Sequence, residues 1–179
     1  SVADRLGAGR RRNRVAVRAA YAAERAFRAA VRRAGEVALE TLEASGEPGI
    51  VLLGRSYNLY DPAVNCDIPS KLRRRYGVNV LPQDYLVPAG RDARHLHPNM
   101  YWWSGRRILA AAERARQASN LHVIYITNFK CGPDSYLKSI VRSVLGAPLL
   151  HLQYDGHGGD AGYLTRCEAF LESKGILRC

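Results

Sequence analysis

The sequence predicts a doubly wound α/β domain, a four-stranded parallel sheet covered by helices on both faces, with a long helix at its amino-terminal side. Three observations predict it. After residue 49, short apolar runs and helical stretches alternate four times. The first of these runs, 50–53, is continuously apolar, as a strand covered on both faces is. The stretch 15–42 is Ala-rich, free of proline and patterned at helical spacing. With 179 residues and 47% apolar composition, the chain is long enough to form a core without disulfide or metal staples.

The elements follow in order. Val15, Ala19, Ala22, Ala26, Ala30, Val37 and Leu42 lie on one side of a helix that Ser45, Gly46, Pro48 and Gly49 bring to a stop. Residues 50–53 form the first buried strand. A short helix at 70–76 leads to a strand at 78–81, and a helix at 99–119 to a strand at 121–127. A helix at 134–145, a strand at 148–154 and a closing helix at 160–173 complete the series. The division expected is a basic amphipathic helix at 1–48 and a Rossmann-like or flavodoxin-like α/β domain at 49–179. Because the chain starts at Ser1 rather than Met, it is expected to be a piece of a larger multidomain protein.

The net charge of +11 is uneven. Residues 1–33 hold ten Arg against Asp4 and Glu24. Such a cluster is suited to phosphates. Against nucleic acid stand the ratio of 23 Arg to 4 Lys throughout the chain, a compositional bias, and the absence of aromatics interleaved with the basic run. No apolar run approaches the roughly 20 residues of a membrane span, and the amino terminus lacks the apolar centre of a signal peptide, so a cytoplasmic location is expected.

In a doubly wound sheet, ligands bind beyond the carboxyl ends of the strands, at the switch point. That rule selects the loops 54–70, 82–98, 128–134 and 155–162. A strand order of 2-1-3-4 would set the first and third side by side. The first loop is long for a strand-to-helix connection and carries Gly54, Arg55, Ser56, Tyr57, Asn58 and Cys66. In the third, Cys131 leaves a strand, Gly132 permits close backbone approach, Pro133 suits a first helical turn, and Asp134 or Ser135 can cap it. A thiol beside a helix amino terminus meets unpaired amide hydrogens that favour thiolate, the form that binds metal or attacks carbon. Cys167 reads as a packed core residue. His95, His97 and His157, with Cys66 or Cys131, raise the alternative of a zinc or non-haem iron hydrolase, although their spacing matches no known metal motif. There is no GxGxxG after a strand and no P-loop. Ser56 in GRSYN lacks the second glycine of a nucleophile elbow.

Three blocks, GRSYNLYDPAVNCDIPSKLRRRYGVNVLPQDYL, NMYWWSGRRILAAAERARQASNLHVIYITNFKCGPDSYL and LQYDGHGGDAGYLTRCEAFLES, resemble the 2-hydroxyacyl-CoA dehydratase activase-related proteins from about Gly49 to Ser173. The resemblance implies an anaerobic iron-sulfur protein of ATP-driven, low-potential electron transfer, working within a dehydratase/activase system. The family's TNFGCGPDS block falls on Thr127 to Ser135, with Lys130 in place of Gly. Its HSADAG block falls on His157 to Gly162, retaining Asp160 and losing Ser. Cys131 is thereby implied as a cluster ligand, with Cys66 the doubtful second. Gly54 to Asn58, Gly132 to Ser135, His157 and Asp160 would wall the crevice. One persuasive thiolate is too few for a 4Fe-4S cluster. The remaining cysteines are expected from other domains of the same polypeptide or from a dehydratase or activator partner. The rival reading is a metal-free module that recognises a CoA-like anion or docks a neighbouring domain, and Trp102 and Trp103 are expected to divide between the sheet and such a contact.

Overall fold

The structure, a computed structural model, describes residues 2–87, 93–156 and 159–177. A short turn, α1 (Val2–Arg5), precedes α2 (Arg10–Ser45), which Gly46 ends in the left-handed conformation (φ 67°). Arg and Ala are strong helix formers, so α2 starts five residues before the apolar periodicity begins. Every residue from 11 to 28 is exposed. Only the last turns dock, burying Gly35 and Leu42.

The strand β1 (Gly49–Leu53) is buried throughout. The segment 54–70, expected as a loop, is instead helical. It holds α3 (Ser56–Tyr60), α4 (Pro62–Asn65) and the start of α5 (Ile68–Tyr76). The reason is local capping. Asp61 accepts a hydrogen bond from the Ala63 amide (2.9 Å) with Pro62 at the first position of α4. The buried Asn65 amide donates to the carbonyls of Asn58 (2.9 Å) and Leu59 (3.0 Å), closing the turn between α3 and α4.

The next strand, β2 (Asn79–Pro82), is followed by 3-10 turns at Gln83–Tyr85 and Ala93–His95. Helix α6 (Trp103–Arg116) starts later than 99, because Trp102 is extended and Arg106 reaches back to hold the carbonyls of Met100 and Tyr101 (3.0 Å each). Neither Trp102 nor Trp103 packs on the sheet, contrary to expectation, since the first is 40% and the second 57% exposed. Then come β3 (Leu121–Asn128), α7 (Gly132–Leu145), β4 (Leu150–Tyr154) and α8 (Ala161–Ser173).

The four strands are parallel, as the doubly wound reading requires, and stand in the conventional order β2-β1-β3-β4. Side chains alternate across the sheet. Val51, Leu53, Val123 and Tyr125 face a core closed by α2, α6 and α7, whereas Ile50, Leu52, Ile124 and Ile126 face one closed by α3, α5 and α8. Asn120 ties the far end together, donating to the carbonyls of Leu42 (3.1 Å) and Glu47 (2.9 Å). Strands β1 and β3 are thus central neighbours, and their carboxyl ends deliver Gly54 and Asn128 to the same rim.

Candidate functional site

At that rim the chain leaves β1 through Gly54, where an added Cβ would stand 2.7 Å from the Ile126 carbonyl oxygen of β3. The close approach requires glycine. The Gly54 amide donates to the buried Gln83 Oε1 (3.2 Å), which links the turn to β2. Arg55 then caps α3 and turns toward β3, while Cys131 takes the cap position of α7. The two side chains meet. Arg55 Nη2 donates both to Cys131 Sγ and to Asp134 Oδ2 (3.0 Å). The same carboxylate oxygen accepts from the Asn128 amide (3.1 Å), and Asp134 is buried. Asp134 therefore anchors a guanidinium and the exit of β3 rather than capping α7.

The electrostatics follow from this pairing. Burial works against the charged Arg55 guanidinium, but the hydrogen bond and charge of Asp134 outweigh it and hold it protonated beyond its usual range. Arg55 also lies 5.1 Å from the centre of the Tyr57 ring, and burial raises the Tyr57 hydroxyl above the usual phenol value. Asn58 is wholly buried and donates to the Ile126 carbonyl (3.4 Å). Ser135 donates to the Cys131 carbonyl from its amide (3.0 Å) and its hydroxyl (2.9 Å). Gly132 comes within 4 Å of no atom that a Cβ would meet, so its own chain sets no steric demand for glycine there.

The other expected residues lie elsewhere or outside view. Ser56 opens α3 and lines a groove of about 770 Å³ between α2 and the β2 edge of the rim. Cys66 packs with the core under α5 and α8, its carbonyl accepting from Lys71 (2.7 Å), and Lys71 also pairs with Asp160. That bond lowers the Asp160 carboxyl below its usual value. Cys66 and Asp160 thus share one group and Cys131 belongs to another. Cys167 is buried in the same core, its thiol pushed up to about 12 by burial. His95 pairs with Glu113 (2.9 Å), and His97 lies against Tyr136 (3.3 Å). His157 lies outside the described residues.

Lys130, standing where the resemblance carries glycine, has a φ of 55°, in the left-handed region. Its ammonium lies over the exposed Phe129 ring. A side chain in this conformation costs about 1 kcal/mol, so Lys130→Gly is expected to raise stability by about 0.5–1 kcal/mol in urea unfolding. A loss of stability would show that the ring contact outweighs the backbone.

A neighbouring pair passes unnoticed in the sequence. Thr127 Oγ1 lies 2.7 Å from His151 Nε2 on β4, and burial, then Lys138, Arg142 and Arg166, push the imidazole down to about 4. A folded value below the unfolded one of about 6.5 means that the unfolded chain binds the proton first. Stability should therefore fall by about 2 kcal/mol as pH drops from about 6.5 to 4, and His151→Gln should flatten that limb of the pH profile.

Residues 1–86 match the family model described as the CoA enzyme activase uncharacterised domain. This is a domain related to CoA enzyme activases. The matched stretch runs from α1 through α2, β1 and β2 and includes Arg55; its extent is consistent with an activase-related family. No curated protein and no solved structure matches the chain. Among the described residues, no helix is long and apolar enough to cross a membrane. Nor do the described residues of this activase-related domain gather three His, Cys, Asp or Glu in position to hold a metal ion. The donor set at the rim fits one corner of an iron-sulfur cluster and no more: one partly exposed sulfur, at a helix amino terminus, with a guanidinium donating to it.

Proposed function

We propose that this activase-related domain presents Cys131 as a single thiolate to an iron-sulfur cluster, of the 4Fe-4S type, whose other cysteines belong to further domains or to a dehydratase or activator partner. The observation that carries the reading is a single sulfur at the amino end of α7, at the switch point, that accepts from Arg55, itself held by Asp134. Such a cluster supplies one-electron transfer at low potential. The residues of this chain act around it. Asp134 fixes Arg55, Arg55 orients the sulfur by a charged hydrogen bond, and Ser135 holds the backbone of Cys131. The amino end of α7, beside which Cys131 sits, favours a more negative, more reduced neighbour.

The test is anaerobic reconstitution, with ferrous iron and sulfide, of the assembled activase-type protein. Cys131→Ala should remove visible absorbance and bound iron, whereas Cys66→Ala should leave both in place. Unchanged iron in the Cys131 variant overturns the reading.

One observation favours a metal-free alternative: the Cys131 sulfur already has a partner in Arg55. In that case the amino end of α7 and Arg55 receive a CoA-like anion or the acidic surface of a neighbouring domain. Calorimetric titration with CoA separates the two. Saturable binding lost in Arg55→Gln, in protein that takes up no iron, supports the alternative.

A further inference from the structure

The amino-terminal half of α2 is a helix with one side unused. The stretch 11–28, about 27 Å long, is exposed on every face. At about 100° per residue, Val15, Ala19, Ala22, Ala26, Ala30 and Val37 fall on the side opposite the docked Gly35, with the exposed Arg33 among them. Val15 is 63% and Val37 62% exposed, although both are apolar and β-branched. The charges on this helix are segregated by length. Arg10, Arg11, Arg12, Arg14 and Arg18 occupy its first turns without an acid, and Glu36, Glu40 and Glu43 its last turns without a base. A flank of the apolar stripe carries Arg11 and Arg18 at one end, Arg25 near its middle, and Glu36 and Glu43 at the other end, at steps of seven residues within each end.

This pattern is complementary to itself only when reversed. We infer that α2 pairs antiparallel with α2 of a second copy of this chain through the Val15–Val37 face. A two-fold axis near residue 27 sets Arg11 against Glu43 of the partner subunit and Arg18 against Glu36 of the partner subunit, and each contact occurs twice. A parallel pair would stack the arginine turns on one another, which like-charge repulsion forbids. Glu36 already lies 3.9 Å from Arg32 on its own helix, a loose exposed pair that leaves it within reach of a second guanidinium. Pairing leaves the opposite side of α2, with Gly35 and Leu42, on its own domain.

Sedimentation equilibrium of the whole chain tests the inference. A monomer–dimer equilibrium is expected that weakens as salt is raised. Arg11→Glu with Arg18→Glu should raise the dissociation constant about tenfold or more, Glu36→Arg with Glu43→Arg should do the same, and all four together should restore the dimer. All four positions are exposed, so helical circular dichroism should stay unchanged. A chain that is monomeric at millimolar concentration and low salt overturns the proposal, leaving the stripe to a different protein. A dimer tightened by the arginine reversal alone overturns it too, since that is the behaviour of parallel helices.

Discussion

Replacing Arg55 with alanine is expected to lower the stability of the domain by about 2–4 kcal/mol, a loss out of proportion to a residue at the rim. Its side chain is 24% exposed and that of Asp134 only 3%. Removing the guanidinium leaves a buried carboxylate with the Asn128 amide as its remaining donor and frees the Cys131 sulfur from its hold. Lysine should recover only part of the loss, because a single ammonium does not reproduce a planar group that serves sulfur and carboxylate together. Asp134→Asn alone should also destabilise, since an amide oxygen is a weaker acceptor for Arg55. The two changes combined should cost less than their sum by about 1–2 kcal/mol, read from urea unfolding of the four species. Strict additivity would show that the pair contributes nothing as a pair.

Gly35→Ala sets two effects of opposite sign against each other. In the middle of a helix alanine is favoured over glycine by about 1 kcal/mol. Here the new Cβ would stand 2.3 Å from the Tyr85 carbonyl oxygen, 2.7 Å from its Cα and 2.8 Å from its carbonyl carbon. All three are backbone atoms, so no rotamer change relieves the contact, and α2 must lift off the turn at Gln83–Tyr85. The clash should win, with a net loss of about 2–3 kcal/mol, because Ala38, Leu39 and Leu42 would be levered away from the core in the same motion. Gly132→Ala is the control: with open space around it, the change should stay within about 0.5 kcal/mol. A stabilised Gly35→Ala would mean that the helix slides rather than clashes.

The parts of this fold legible in the sequence are those that depend on local pattern. Short, mostly apolar runs located all four strands, and their alternation with helices pointed to the parallel sheet; its order, β2-β1-β3-β4, followed from the convention for such folds and not from the pattern of residues. The 54–70 segment was not legible as helix, because its helices are too short for a periodic signal. They depend on Asn65 bonding two carbonyls and on Leu59 and Ile68 entering the core. At the rim, Cys131 stands out by its place between a strand and a helix. Arg55 and Asp134 were legible as members of the two loops at this rim, but their pairing with each other was not, since they are 79 residues apart and meet only because β1 lies beside β3. Cys66 illustrates the converse. Its loop begins at the same edge, but α4 carries it into the core under α5 and α8. The left-handed Lys130 was readable only as a departure from a glycine in the resembling family, whereas His151, on the strand beside Thr127, carries no motif that would pair it with that residue.

The strand order has a consequence for synthesis and for truncation. By residue 86 both β1 and β2 have been synthesised, but the other flank of β1 must wait for a strand that starts at Leu121. Until then Ile50 to Leu53, fully covered in the finished molecule, present open amide and carbonyl groups along an apolar ribbon, the kind of template on which chains aggregate. The stretch that matches the family model is therefore a unit of descent but not a unit of folding, and a fragment cut at its boundary should come out of cells insoluble.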